Sequence, residues 1–521
     1  MLRDARNSLR LIAISFVLAR YDVFHLVWRF FAFSWVLFPL RMLALGHFHR
    51  RPGERLARAL TTLGPTFIKF GQALSTRPDI VGEAIADDLS MLQGDLPPFS
   101  FEEARQAIED DLGKPLDELF ATFDEAPVAA ASIAQVHYAT GKDGERLAVK
   151  VLRPGIEARF EKDIDLLLWL AEMADARLSG AKRLKLVEAV RIFAETSRME
   201  MDLRFEAAAA EELKENFADE PGFKVPAIHW RLTAQRVMTM EWMDGTNIYE
   251  REKLIAAGHD LNALIAKAGE VFFKQVFRDG FFHADMHPGN LFIDAEGNIV
   301  ALDFGIMGRL DVKNRLYLAE MLKGFFERDY EKVSRVHFEA GYVPRTESEA
   351  RFAQACRAIA EPIFGLPQNE ISVGGLLAIL FKVTREFNME TQPQLLLLQK
   401  TLVMAEGLGR ILNPNVNIWQ LAAPYIEEWA VQNLGPQAKL KYALGDLTSM
   451  LMNIRTFFDG TKHISAAFTP QGLKLHPTSE AALQKTPGNQ KVKNVFLFIL
   501  VVAVAAASSA LTACYLLRQL P

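Results

Sequence analysis

Cysteine is nearly missing from this 521-residue chain, which has two, Cys356 and Cys514, far apart in sequence. That scarcity excludes a disulfide framework and a cysteine zinc site. A surplus of one charge is missing too: 59 basic against 64 acidic side chains leave a net charge of -5. The balance argues against nucleic acid as a partner. With 50% hydrophobic and 24% charged residues the chain is not mainly disordered. At roughly 150 residues per domain it has room for about two to four domains, and no internal repeat is evident.

What is present starts with apolar runs. Residues 494–517, NVFLFILVVAVAAASSALTACYLL, carry no charge over 24 positions. At 1.5 Å rise per residue they match a bilayer core of about 30 Å, which predicts a transmembrane helix. Lys485, Lys491 and Lys493 precede it and Arg518 alone follows, so the positive-inside rule places the bulk of the chain in the cytoplasm. Near the N-terminus, LIAISFVLA at 11–19 follows Arg3, Arg6 and Arg10 without a small-x-small cleavage site, and is expected to stay uncleaved. Residues 23–47, interrupted by Arg29, Pro39 and Arg41, suit an interfacial helix with snorkelling arginines, or a helix packed on the folded chain.

Between these ends the periodicity changes several times. Residues 51–124 read as a small helical extension, with turn signals at Gly64-Pro65, Pro97-Pro98 and Gly113-Lys114-Pro115. Strand-like runs at 134–138 and 146–152 flank the turn GKDG. A long helical stretch over 160–215 follows, then strand-like residues at 225–243. Beyond Leu254 the pattern is helical except at 290–303, where LFID, a turn and IVALD form another hairpin. The fold class expected is α+β, a two-lobed protein-kinase-like arrangement. Its parts are the apolar N-terminal helices (1–50), the helical extension (51–124), an N-lobe (125–243), a helical C-lobe (244–468), a linker (469–493) and the membrane span (494–517).

The chemistry concentrates in HADMHPGNLFIDAEGNIVALDFG, residues 283–305. Asp285, Asn290 and Asp303 have the spacing of a phosphotransferase catalytic loop followed by its metal-binding DFG. Phosphoryl transfer needs an oriented acceptor and neutralised phosphate charge. Asp285 would therefore meet the acceptor, and Asn290 and Asp303 would hold Mg2+. A zinc pair from His283 and His287 is disfavoured because Pro288-Gly289 stops the helix that would align them; His283 reads as a buried brace. Upstream, LAVK ends in Lys150, as in the strand lysine that reaches ATP phosphates. Its carboxylate partner is expected on the long helix, among Glu200, Asp202 and Glu206, with Asp202 and Glu206 on one face.

Two customary parts are absent. Val128, Ala129, Ala130, Ala131, Ser132, Ile133, Ala134, Gln135 and Val136 stand where a glycine-rich phosphate loop is expected. Alanine allows close approach yet disfavours positive φ, so a stiffer nucleotide cover is expected. No APE motif follows Gly305, which removes the segment that seats a polypeptide substrate.

KFGQ at 69–72, AAASIAQVH at 129–137, AVKV at 148–151, EMD at 200–202, HADMHPGN at 283–290 and DFG at 303–305 together resemble the UbiB/ADCK atypical kinase family. The resemblance runs from about 55 to 415, and QPQLLLLQKTLVMAEGLGR at 392–410 is similar to its bacterial members. It implies a kinase-like fold, ATP and Mg2+, and a role in ubiquinone biosynthesis at the bacterial inner membrane. By position, it implies that Lys150 pairs with Glu206 and binds ATP, that Asp285 is catalytic, and that Asn290 and Asp303 hold metal. Lys69 and Gln72 would reach Glu200 and Asp202, so that the extension covers the protein-substrate site. The partners implied are membrane lipid, ubiquinone precursors and other enzymes of that biosynthesis, with a homodimer as a further assembly. ATPase activity fits this family better than phosphorylation of other proteins. Competing readings are a nucleotide-binding pseudokinase scaffold and a small-molecule kinase.

Overall fold

The computed structural model describes residues 2–23, 50–75, 81–90, 96–177, 186–286, 289–364, 386–389 and 392–413, with a few isolated positions and the pairs 468–469 and 472–473. His287, residues 24–49, the span expected at 494–517 and most of the linker at 469–493 lie outside them. Among the described residues no helix is long and apolar enough to cross a membrane. The chain divides into two units, 1–434 and 435–521. Of the second, the described part is one hairpin, β12 (Phe468–Thr469) against β13 (Gly472–Leu473).

The first unit opens with helices α1 (Leu2–Arg20), α2 (Pro52–Leu63), α3 (Pro65–Ser75), α4 (Glu83–Ser90), α5 (Phe101–Leu112) and the single turn α6 (Leu116–Leu119). Gly64 ends α2 at φ 106 and Pro65 starts α3, since proline lacks the N–H that a continuing helix would need. Helices α2, α3 and α4 share a small core of Leu60, Phe67, Ile68 and Leu89, against which Ile14 of α1 packs. Arg10 pairs with buried Asp163, and Arg55 with buried Asp22. Helix α1 is thus seated on the folded chain, and the interfacial helix expected at 23–47 lies, apart from Val23, outside the described residues.

A five-stranded sheet follows, β1 (Thr122–Phe123), β3 (Ala134–Thr140), β4 (Arg146–Leu152) and β6 (Val237–Glu241) in that order, with β2 (Ala129–Ala130) paired to β3. Alternation along β4 assigns its side chains to two cores. Leu147, Val149 and Val151 join Phe99, Ala104 and Ile108 beneath α5. Ala148 and Leu152 join Phe160, Leu203 and Ala207 on the opposite face. Each such buried Val or Leu contributes about 1.5–3 kcal/mol, so both faces hold β4 in one register. Lys150 falls on the second face.

The stretch expected as one long helix is three: α7 (Ile156–Arg177), α8 (Leu186–Glu200) and α9 (Leu203–Asn216). The break is at Asp202, whose carboxylate caps α9 by accepting the Arg204 N–H at 3.2 Å. The expectation that Asp202 and Glu206 share a continuous helix face is therefore corrected. An aspartate that bonds the next turn's backbone favours starting a helix over lying within one.

The remaining elements are β5 (Phe223–Lys224), β7 (Thr246–Asn247), α10 (Arg251–Ala256), α11 (Leu261–Phe273), a π-helical turn (Lys274–Asp279), β8 (Phe281–His283), β9 (Leu291–Ile293), β10 (Ile299–Ala301), β11 (Met307–Arg309), α12 (Val312–Phe326), α13 (Tyr330–Glu339), α14 (Glu349–Phe364) and α15 (Pro393–Leu412). Strands β5, β10, β9 and β7 make one small sheet, and β8 pairs antiparallel with β11. The expected hairpin at 290–303 is β9–β10.

Among the described residues three histidines are buried: His137, His283 and His337. Burial lowers the pKa of each, that of His337 to about 4. The unfolded chain then takes up these protons first as pH falls. Their stabilisation is intact above about pH 6.5 and is lost on acidification, at up to about 1.4 kcal/mol per pH unit for each. Urea midpoints should fall between pH 7 and pH 5, with a shallower slope in His337→Gln; a flat profile would refute this.

Candidate active site

The site assembles where two strand pairs meet. Strand β8 delivers the chain to Asp285, and β11 begins just after Gly305, with His283 opposite Met307. Hairpin β9–β10 lies between, and the Leu302 N–H donates to the Asn290 carbonyl at 3.0 Å. Two stretches spaced by the hairpin are thereby held side by side.

His283 ties them together. Its backbone N–H donates to Gln275 Oε1 at 2.9 Å, the Asp285 N–H donates to its Nδ1 at 3.2 Å, and its Nε2 lies 2.5 Å from the Asp303 carbonyl. With Nδ1 accepting, Nε2 carries the proton and donates: a neutral imidazole in one tautomer. Burial lowers the pKa of His283, in keeping with that neutral state. The bracing expected for His283 is what the geometry shows. Gln275 comes from the π-helical turn, and Tyr249 adds a bond from its hydroxyl to the Met286 carbonyl at 3.3 Å. The sequence reading named neither residue, because both contacts arise only where separate segments pack against the loop.

Lys150 meets Glu206 of α9 at 2.5 Å and Asp303 at 3.5 Å. Glu206 is chosen over the other acids because α9 packs against the face of β4 that carries Lys150. Burial opposes the charge on Lys150, yet Asp303 and Glu206 outweigh it and the ammonium is held well above its ordinary pKa. Asp303 lies well below the carboxylate range: burial would raise it, but Lys150 and the Gly305 N–H at 2.9 Å prevail. Glu206 is raised by burial despite Lys150. Asn290 donates from Nδ2 to the Asp285 carbonyl at 3.1 Å and to Asp285 Oδ2 at 3.3 Å, which orients its oxygen away from Asp285. Lys400 of α15, a residue not singled out from sequence, lies 3.2 Å from Asp285 Oδ1.

The alanine-rich segment is a tight hairpin. The Val128 N–H donates to the Val136 carbonyl and the Ala131 N–H to the Ala134 carbonyl, both at 2.8 Å, so Ser132 and Ile133 form the tip. Neither has positive φ, a region that residues bearing a Cβ avoid. The Arg153 N–H pins the tip by donating to the Ile133 carbonyl at 2.7 Å. Gln135 is a correction: its side chain, 1% exposed, lies off the face that carries Lys150, because Val136 is the β-partner of Lys150. It accepts the Phe99 N–H at 3.0 Å and meets His137 at 2.9 Å.

Lys69 of the extension reaches Glu200 at 2.7 Å, and its ammonium is raised because Glu200 outweighs burial. Phe70 and Phe193 pack edge to face at 5.4 Å, holding α3 on α8. The expected reach of Gln72 to Glu200 and Asp202 is corrected: it donates to the Leu92 carbonyl at 3.3 Å. Asp202 is bound by Arg204 at 2.6 Å rather than by Lys69, its position as a cap having turned it toward the first turn of α9.

A lysine–glutamate pair beside a DFG aspartate, facing a braced aspartate–asparagine loop, defines a kinase-like protein. Residues 91–337 match the ABC1 atypical kinase-like domain and 356–417 the UbiB helical domain. The chain is 44% identical to a "Probable protein kinase UbiB" of Marinobacter nauticus, over 85% of this chain and 82% of that protein. It is 43% identical to the protein of the same name from Azotobacter vinelandii, over 85% and 84%. Among solved structures, the Rv3197–erythromycin complex from Mycobacterium tuberculosis aligns at a TM-score of 0.48 with 26% identity, over 68% of this chain and 90% of that one. This chain belongs to the UbiB family of ABC1-type atypical kinases.

Proposed function

We propose that this protein is a magnesium-dependent ATP-using enzyme whose turnover serves ubiquinone biosynthesis at the bacterial inner membrane, held there by residues 494–517. The observation that carries the reading is the Lys150–Glu206–Asp303 cluster, joined through His283 to Asp285. The donors fit Mg2+, which takes oxygen ligands and shares them with phosphate and water: Asp303 offers a carboxylate that is 45% exposed, and Asn290 an amide oxygen turned from Asp285. When bound, the ion neutralises phosphate charge. Lys150 contacts the ATP phosphates, Glu206 holds Lys150 in place, and the alanine hairpin covers the nucleotide from above. Asp285 orients the attacking oxygen. The extension, latched by Lys69 on Glu200, favours water or a membrane-borne acceptor over a polypeptide, so ATP hydrolysis is the activity supported best.

The test is phosphate release by the full chain in lipid nanodiscs, with magnesium or with EDTA, beside Asp303→Asn. Ubiquinone content is measured in a bacterial strain that lacks its own family member and carries either form. Release that requires magnesium, and a loss of about 1,000-fold in the variant together with loss of ubiquinone, is expected. Equal ubiquinone from both forms would sink the reading.

A further inference from the structure

The catalytic loop, HADMHPGN, contains no lysine or arginine. Yet its aspartate meets a cation: Lys400 Nζ is 3.2 Å from Asp285 Oδ1, from 115 residues further along the chain. Lys400 stands on α15, in the stretch that matches the UbiB helical domain and beyond the kinase-like match. Its backbone is well held. Leu398, Leu408 and Leu412 of the same helix are buried in the core beneath the loop, Thr401 beside it is fully buried, and Arg251 donates to the Leu412 carbonyl at 3.2 Å. The side chains of Lys400 and Asp285 keep 35% and 28% of their exposure, so the pair is open to a ligand. A pair this exposed contributes little to folding, and stability gives weak reason to place a lysine there.

Lys150 and Lys400 therefore supply one cation at each aspartate, Lys150 at Asp303 and Lys400 at Asp285. Charge develops on the transferring phosphoryl between those two aspartates, and a preorganised cation aimed there stabilises the transition state. We propose that Lys400 is a catalytic residue, which contacts the non-bridging oxygens of the γ-phosphoryl and makes the helical domain part of the active site. The proposal rests on the ATP-using reading above. In the step, the attacking water oxygen forms a bond to the γ-phosphorus as the bond from that phosphorus to the β,γ-bridging oxygen breaks. The bond pair leaves with ADP. The water proton passes to the Asp285 carboxylate and from there to solvent. Lys400 keeps its own protons throughout and releases Asp285 as it takes up the phosphoryl oxygens.

The experiment compares the wild-type full chain in nanodiscs with Lys400→Met and Lys400→Arg, by magnesium-dependent phosphate release and by binding of ADP and of ADP with aluminium fluoride. Lys400→Met should lower kcat about 100-fold with KM for ATP and ADP affinity within about threefold of wild type. Lys400→Arg should recover at least about a tenth of the wild-type rate, because the charge remains. The tighter binding of ADP with aluminium fluoride than of ADP alone should vanish in the methionine variant only. A methionine variant with unchanged kcat, or faster turnover, overturns the proposal, as does equal loss in both variants with lowered melting temperatures. Wild-type chain that releases no phosphate fails the ATP-using reading instead. In that event the aluminium fluoride comparison decides on Lys400: the same enhancement in wild type and Lys400→Met, or none in wild type, overturns it.

Discussion

Lys150→Met is expected to lose at least about 100-fold in magnesium-dependent ATP turnover, because under the proposed function the variant removes the cation that meets the nucleotide phosphates. It should also be less stable. Glu206 is 8% exposed and 2.5 Å from Lys150, and a buried charge deprived of its partner costs about 3–5 kcal/mol unless it takes a proton. That escape fixes the pH dependence. Burial already raises Glu206, with the charge of Asp303 adding to it, and removing Lys150 raises it further. The folded state then holds a proton that the unfolded chain releases near the ordinary glutamate value, so stability falls as pH rises between the two. Urea denaturation should show a larger deficit against wild type at pH 8 than at pH 6. A Lys150→Met protein turning over within threefold of wild type would refute the assigned role. A deficit that grows toward low pH would refute the electrostatic account of the cluster.

His283→Leu is expected to be nearly as damaging, although no role at the phosphates is assigned to it. Leucine leaves the Asp285 N–H without its acceptor and the Asp303 carbonyl without its donor. Both groups are part-buried, and leaving them unpaired costs at most about 2–6 kcal/mol together. The two aspartates also lose their common reference, and a displacement of about 1 Å costs on the order of 100-fold in rate. His283→Asn, which keeps one polar contact, should recover part of both losses. Phosphate release and thermal melts of the two variants check this. If His283→Leu kept wild-type kcat while losing stability, the brace would be structural only.

Much of this site was legible in the primary sequence. HADMHPGN and DFG marked both aspartates and Asn290, and LAVKVL marked Lys150. Each is a local pattern, in which neighbours in the chain already carry the geometry. Two misreadings were avoidable. Aspartate at 202 with helix formers after it is an N-cap signal, and the pairing of Val136 with Lys150 in a GKDG hairpin places Gln135 on the other face. The contact of Gln72 with Leu92, the bond from Gln275 to His283 and the approach of Lys400 to Asp285 leave no such trace. Each depends on how one helix or turn packs against a segment distant in sequence.

The sequence alone determined the chemical inventory and the local frame: which residues could meet phosphate and metal, where strands and turns fall, and which part replaces a glycine-rich loop. Spacing and periodicity suffice for these because backbone geometry acts over a few residues. Tertiary structure decided the partners that spacing and periodicity left open, in line with the family resemblance for Lys150–Glu206 and Lys69–Glu200. It selected Glu206 over Glu200 and Asp202 for Lys150, gave Glu200 to Lys69, and brought Lys400 from the far end of the described helices to Asp285. Those choices are set by side-chain packing between elements, where an ångström decides which charges touch.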